Sequence, residues 1–294
     1  MVDSHHLEVF LAVVDHGSAS AAAEVLHYVQ PNVSARIRQL EEALGAALFF
    51  RRSRGMVLTA DGRRLVPYAR RVVGTLRNVR ELYGSAGLLD GHVSIGTTDA
   101  FAAVHLPEVI VAVRREHPHL GVSIDTRESH ELVERVARYQ LDAAFVETPV
   151  DHPELDAIPV RRDPLALVAA HARSDNSIRR DDEIIVFPRG CGYRAALERW
   201  FAIQGWTPAR VHEFRGVDAI LGCTAAGLGV TAVPRSILND SRYPLREIGT
   251  DLPPAVSTAF WVTRRDAQNV PTVAALTRLA VEMASTDRGV AQTP

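Results

Sequence analysis

Nine residues near the N-terminus carry chemistry suited to a polyanion: Gln30, Pro31, Asn32, Ser34, Arg36 and Arg38, followed by Arg51, Arg52 and Arg54. Side-chain amides pair with the edge of adenine and guanidinium groups with guanine, while hydroxyls and further arginines reach phosphate oxygens. Between Arg36 and Arg80 stand 11 arginines and three acids, a local charge of +8 (11 − 3) in a chain whose formal net charge is −2. All 33 basic residues are arginine, whose planar fork fits phosphate geometry. A basic front on a mildly acidic body is the balance expected of a nucleic-acid head carried by a sensing body.

A second set of residues falls where strands end and helices begin. Thr97, Thr98, Asp99, Ala100 and Phe101 follow the strand-like run Val93–Gly96, and Glu147 and Thr148 follow Asp142–Val146. Cys191, Gly192, Tyr193 and Arg194 occupy a turn before a helical stretch, and Phe214 opens the Phe214–Gly216 turn. Hydroxyls, helix-start amides and Arg194 suit a small carboxylate-bearing molecule. Thr97 and Thr98 serve equally well as helix caps. Cys191 lies in Gly-Cys-Gly between Arg189 and Arg194, surroundings that lower a thiol pKa, so a redox sensor is an alternative. A small apolar lining residue is the plainer reading of the same cysteine.

Catalytic and metal chemistry find little support. His5-His6, His117 and His119 lack ligand spacing. There is no Gly-rich phosphate loop, nucleophile elbow or His-Glu metal helix. An αβ enzyme is therefore a remote alternative, and no cofactor or metal is expected.

The elements that position these residues follow from spacing. Leu7, Phe10, Leu11 and Val14 share one face of a helix over Ser4–His16, with Ser4 as its cap. Gly17 ends it, and Ser18–Leu26 forms a short small-residue helix. Gln30-Pro31 opens a third helix closed by Gly45, with Val33, Ile37, Leu40 and Leu44 as its buried stripe. Two such helices across a tight turn have the proportions of a helix-turn-helix. Short extended runs on either side of Gly55 suggest a β-wing, and Thr59 caps the next helix. From Arg63 to Leu89, Leu65, Ala69, Val72, Leu76, Val79, Tyr83 and Ala86 alternate spacings of four and three. That heptad seam predicts a two-helix coiled coil, hence a homodimer on a DNA site of approximate two-fold symmetry.

After Asp90-Gly91 the pattern alternates between strands and helices, as in open, largely parallel sheets with helices on both faces. Ligands settle outside the carboxyl ends of such strands. At 294 residues several domains are expected. The two cysteines and the absence of an apolar run of about 20 residues point to a cytoplasmic protein away from membranes. The N-terminus lacks a basic-then-apolar leader pattern.

Ala22-Ala23, Leu26, Gln30-Pro31, Ser34, Ile37, Leu40-Glu41, Leu44-Gly45, Leu48-Phe49, Arg52, Leu58-Thr59 and Gly62 together resemble the winged helix-turn-helix of LysR-type transcriptional regulators. Val29, Asn32 and Ala35 depart from that pattern, where Ser or Thr, Ala and Arg are usual. Leu141-Asp142-Ala143-Ala144 and Ala225–Val230 are similar to the family's effector domain, which resembles periplasmic binding proteins. The resemblance implies an all-α winged head at 1–62, a dimerising linker helix at 63–89 and an α/β effector domain at 90–286. That domain would have two subdomains, 90–161 with 265–286 and 162–264, and a loose tail at 287–294. It implies a DNA-binding dimer or dimer of dimers, modulated by a metabolite in the inter-subdomain cleft. The position of Cys191 resembles that of the reactive cysteine in peroxide-sensing members, with Trp200 at the spacing of the second cysteine.

Overall fold

The computed structural model describes residues 1–52, 55–83, 91–249 and 255–290. Arg54 and Ala86, singled out above, lie outside them. The chain packs as two compact units, one formed mainly of residues 1–86 and the other mainly of 87–294.

The first unit runs α1 (Ser4–His16), α2 (Ala19–Val25), α3 (Gln30–Leu44), β1 (Phe49–Arg52), β2 (Gly55–Leu58) and α4 (Ala60–Leu82). Asp3 rather than Ser4 caps α1, accepting the His6 N–H at 2.8 Å. Ser18 caps α2 by accepting the Ala21 N–H at 3.1 Å. Val29 gives α3 no side-chain cap, and Gly45 ends that helix in the left-handed region at φ 65°. Val33, Ile37 and Leu40 pack with Phe10, Ala22, Ala23 and Leu48 in one apolar core. Leu44 does not join this stripe. It sits in the last turn before Gly45 and is 41% exposed.

The wing is an antiparallel pair, with Phe49 opposite Leu58 and Arg52 opposite Gly55. Glu41, near the end of α3, fastens its base by accepting the N–H groups of Leu48 (2.8 Å) and Phe49 (3.2 Å). Thr59 does the same for α4, accepting the Gly62 N–H at 3.0 Å and donating to the Ala47 carbonyl at 2.7 Å. Gly62 is there because nothing larger fits: a Cβ would stand 2.2 Å from the Leu48 carbonyl oxygen.

Along α4, Leu65 and Ala69 belong to the core of the head rather than to a free seam. Val72 (44%), Val79 (43%) and Tyr83 (87%) are exposed, and Leu76 is half-buried between them. The helix begins three residues earlier than the Arg63–Leu89 reading and is described to Leu82.

The second unit runs β3 (Gly91–Thr97), α5 (Asp99–Val104), α6 (Leu106–Glu116), β4 (Leu120–Thr126), α7 (Ser129–Ala137), β5 (Ala143–Val146) and β6 (Leu155–Ala170). It continues with β7 (Ile184–Val186), α8 (Gly192–Ile203), β8 (Val211–Glu213), α9 (Val217–Ala225), β9 (Thr231–Pro234) and α10 (Arg235–Asn239). It closes with β10 (Leu245–Glu247), β11 (Val256–Arg264) and α11 (Pro271–Val290).

Strand β3 lies parallel between β4 and β5, and β7 pairs in parallel with β8. The other strand pairings described in this unit are antiparallel, so its seven-stranded sheet is mixed rather than largely parallel. The reason is two crossing strands. Strand β6 pairs with β11 along its first half, then with β9 and β10 beyond Pro164. Strand β11 returns beside β6 and pairs with β5 from Phe260 to Thr263. The return into the first sheet thus falls within β11, at its register shift between Ala259 and Phe260, rather than after Arg264. Helix α11 extends to Val290, past the 287 boundary read for a loose tail. Each subdomain has its own core, one around Phe101, Phe145 and Trp261 and the other around Leu167, Trp200 and Phe201. Among the described residues no helix is long and apolar enough to cross a membrane.

Candidate functional site

Two surfaces gather the residues singled out by sequence. On the head, the outer face of α3 exposes Gln30, Pro31, Asn32, Ala35 and Arg38, with Ser34 and Arg36 half-buried on its flanks. Gln30 Nε2 donates to Ser34 Oγ at 2.8 Å, one helical turn on, so the first turn presents a joined amide and hydroxyl. The Gln39 amide oxygen instead lies 3.3 Å from His6 Nε2 on α1. Arg36 and Arg38 form no ion pair among the described residues. No side chain caps α3. Pro31 carries no N–H and Asn32 N–H donates to the Val29 carbonyl at 3.0 Å, so what the helix start offers an oxyanion is mainly its positive dipole end.

In the second unit, a cavity of about 150 Å³ opens outside the carboxyl ends of β3, β4 and β5 and faces α8 and α9 across the subdomain boundary. The loops that follow β3, β4, β5, β7 and β8 all reach it, because parallel strands deliver their following loops to one edge. Of the twelve residues proposed from sequence, Thr98, Asp99, Ala100, Glu147, Cys191, Gly192 and Tyr193 line this cavity. The helix starts at Ser129, Gly192 and Gly216 also reach it.

Glu147 forms the polar floor. It accepts Thr98 Oγ1 at 2.5 Å and the Tyr193 hydroxyl, while its backbone N–H donates to Ser129 Oγ at 3.1 Å. Burial raises its carboxyl pKa above the usual range, against the two hydroxyl hydrogen bonds that lower it. The Tyr193 hydroxyl is pushed well up by burial, with the Glu147 charge adding to the effect. Thr98 lines the cavity and also caps α5, accepting the Phe101 N–H at 3.2 Å.

Five of the proposed residues stand elsewhere. Thr97 is buried, its hydroxyl turned to the Thr98 carbonyl at 3.2 Å. Phe101 stacks on Phe145 at 4.3 Å in the first core, and Phe214 packs against the second subdomain's apolar residues. Thr148 lies one residue past the floor and does not line the cavity. Arg194 is the consequential difference. It is buried, its Nε and Nη1 bond to Glu198 (2.7 Å), Glu213 (2.6 Å) and the Phe187 carbonyl (3.2 Å), and it does not line the cavity. The cavity's cations are Arg127 and Arg215. Arg127, with Thr126, Glu128 and Ser129, stands at the exit of β4. The strand-end rule applied to Val122–Ile124 finds that loop directly.

The redox expectation for Cys191 also meets a physical correction. Burial pushes its thiol up to about 12, outweighing the backbone hydrogen bonds from Arg194 and Tyr193. Arg194, expected to acidify it, faces its own carboxylates. Cys191 and Cys223 are both free and half-buried.

Comparison with known proteins matches these two units. Residues 4–63 match the family model for the bacterial regulatory helix-turn-helix protein, lysR family, and residues 86–285 match the LysR substrate binding domain. The chain is 37% identical over 253 residues to the uncharacterized HTH-type transcriptional regulator YusT of Bacillus subtilis, covering 84% of this chain and 86% of the relative. It is 34% identical to the HTH-type transcriptional regulator GltR of the same organism, over 92% and 93% of the two chains. Among solved structures, full-length OxyR from Pseudomonas aeruginosa superposes with a TM-score of 0.77 at 20% identity, covering 97% of this chain and 95% of its own. CbnR, a LysR family transcriptional regulator, does so with 0.67 at 23% identity, over 96% and 99%. At those identities the structures speak for the fold. With both units matched over most of the chain, this protein belongs to the LysR family of helix-turn-helix transcriptional regulators, not to a family of enzymes.

Proposed function

We propose that the chain is a cytoplasmic, effector-controlled regulator that binds a pseudo-palindromic DNA site as a homodimer or a dimer of dimers. Gln30, Pro31, Asn32 and Ser34 meet base edges from the start of α3, Arg36 and Arg38 support them, and Arg51, Arg52 and Arg54 grip the backbone. Val72, Leu76, Val79 and Tyr83 form the dimer seam. A small carboxylate-bearing molecule occupies the cleft and shifts the population of subdomain poses that favours DNA binding.

The single observation that carries the effector reading is the cavity where the starts of α7, α8 and α9 converge beside Arg215. Helix starts and a guanidinium that forms no ion pair among the described residues are what a carboxylate needs. Gly192→Leu tests it. A Cβ there meets only the Glu147 carbonyl oxygen at an ordinary 3.6 Å, so the side chain enters the cleft without disturbing the backbone. Any small carboxylate or amino acid that raises the wild-type melting temperature is expected to lose that effect in Gly192→Leu. An undiminished shift places the binding site elsewhere.

A further inference from the structure

The cleft is unevenly charged. Asp99, Glu128, Glu131 and Glu147 line it, against Arg127 and Arg215. Arg127 is already held between Asp125 (3.2 Å) and Glu131 (3.6 Å). Among the described residues, Asp99, Glu128 and Glu147 have no ion-paired cation. The donors on Glu147, from Thr98 and Tyr193, are neutral hydroxyls. Glu128 feels repulsion from Asp99 and Glu131 as well as attraction to Arg215.

Glu128 is repelled by Asp99 and Glu131, Glu147 is buried in the field of Asp163, and the arrangement relaxes when a positive group arrives. An anion alone meets Arg215 and the helix starts favourably but faces all of these acids. We propose that the effector carries a protonated amine, seated against Glu147, Glu128 and Asp99, with its carboxylate end towards Arg215 and the starts of α8 and α9. This rests on the cleft being the effector site. A metal ion is the rival cation, but no group of three His, Cys, Asp or Glu side chains among the described residues has the geometry to ligate one. Size narrows the class. A protein cavity of about 150 Å³ takes a guest the size of benzene, which fits a small amino-acid-like zwitterion.

The test is isothermal titration of the full chain with three matched probe sets. These are the common α-amino acids, the amines left when their carboxyl is removed, and the acids left when their amino group is removed; Mg2+ and Zn2+ form a separate arm. Amino acids are expected to bind, their deaminated acids to bind at least tenfold more weakly, and Asp99→Asn with Glu128→Gln to reduce amino-acid affinity at least tenfold. Both substitutions are near-isosteric and lie on accessible loop or helix-start positions. The proposal is overturned if the deaminated acids bind as well as the amino acids, if no amine-bearing probe binds, if only a metal responds, or if the double variant keeps full amino-acid affinity. The effector-site reading survives those results so long as Gly192→Leu abolishes whatever binding remains. Amine binding that persists in Gly192→Leu removes both.

Discussion

Glu147 sits where protonation, packing and ligand binding intersect. Thr98, Tyr193 and Ser129 hydrogen-bond to it, and Asp163 and Cys191 add their fields. Because burial raises its pKa, the folded chain keeps a proton that the unfolded chain sheds in the ordinary carboxylate range. Stability therefore falls as pH rises from that range to the raised value, then stays at the lower level. Glu147→Gln keeps an acceptor for one hydroxyl and removes that loss. Its melting temperature is expected to exceed wild type by roughly 2–4 °C at pH 7.5 and to match it near pH 4. Equal differences at both pH values in a calorimetric scan would mean that the charge is not the cause. At this scale the sequence was legible in part. Thr98, Glu147 and Cys191 follow from the rule that ligands collect at strand ends. Arg194 does not, because Glu213, the partner that neutralises it, is 19 positions away and only the folded chain brings it near.

At the scale of elements, local periodicity and capping mark their own boundaries, so α3 spans Gln30–Leu44 in both the sequence pattern and the structure. The seam of α4 shows what periodicity leaves out. Seven positions share one heptad seam, yet Leu65 and Ala69 pack into the head, and the apolar face left uncovered begins at Val72. Which stretch of a stripe meets its own domain and which awaits a partner is decided by tertiary packing. Val72→Glu with Val79→Glu places charge on exposed positions, so the helix and the head keep their fold. Light scattering is expected to show a monomer, with operator affinity reduced by orders of magnitude. A dimer that persisted would put the seam elsewhere.

For the whole molecule, the proposed reading divides recognition between a basic head and an acidic body. Arg38→Ala removes one exposed guanidinium and leaves the Gln30 and Asn32 amides, proposed to read bases, in place. It is expected to weaken binding similarly across operator variants and to reduce the salt slope by about 1. Asn32→Ala is expected to leave that slope unchanged and to cost about 1–3 kcal/mol at one base pair only. Gel-shift titrations across salt and single-base operator variants separate the two; matching behaviour would refute the division between phosphate and base contact. The mixed sheet belongs to this scale too. The antiparallel β6 and β11 both pass between subdomains, a feature that alternation of local patterns does not reveal.

The backbone contact at Gly62 has a mechanical side. With the first turn of α4 pressed onto the Leu48 carbonyl and pinned by Thr59, linker and wing share one rigid joint with no side chain as cushion. A rotation of the linker is therefore passed straight to the wing, and under the proposed mode of DNA binding torque at the stem changes the angle at which the ribbon meets the duplex.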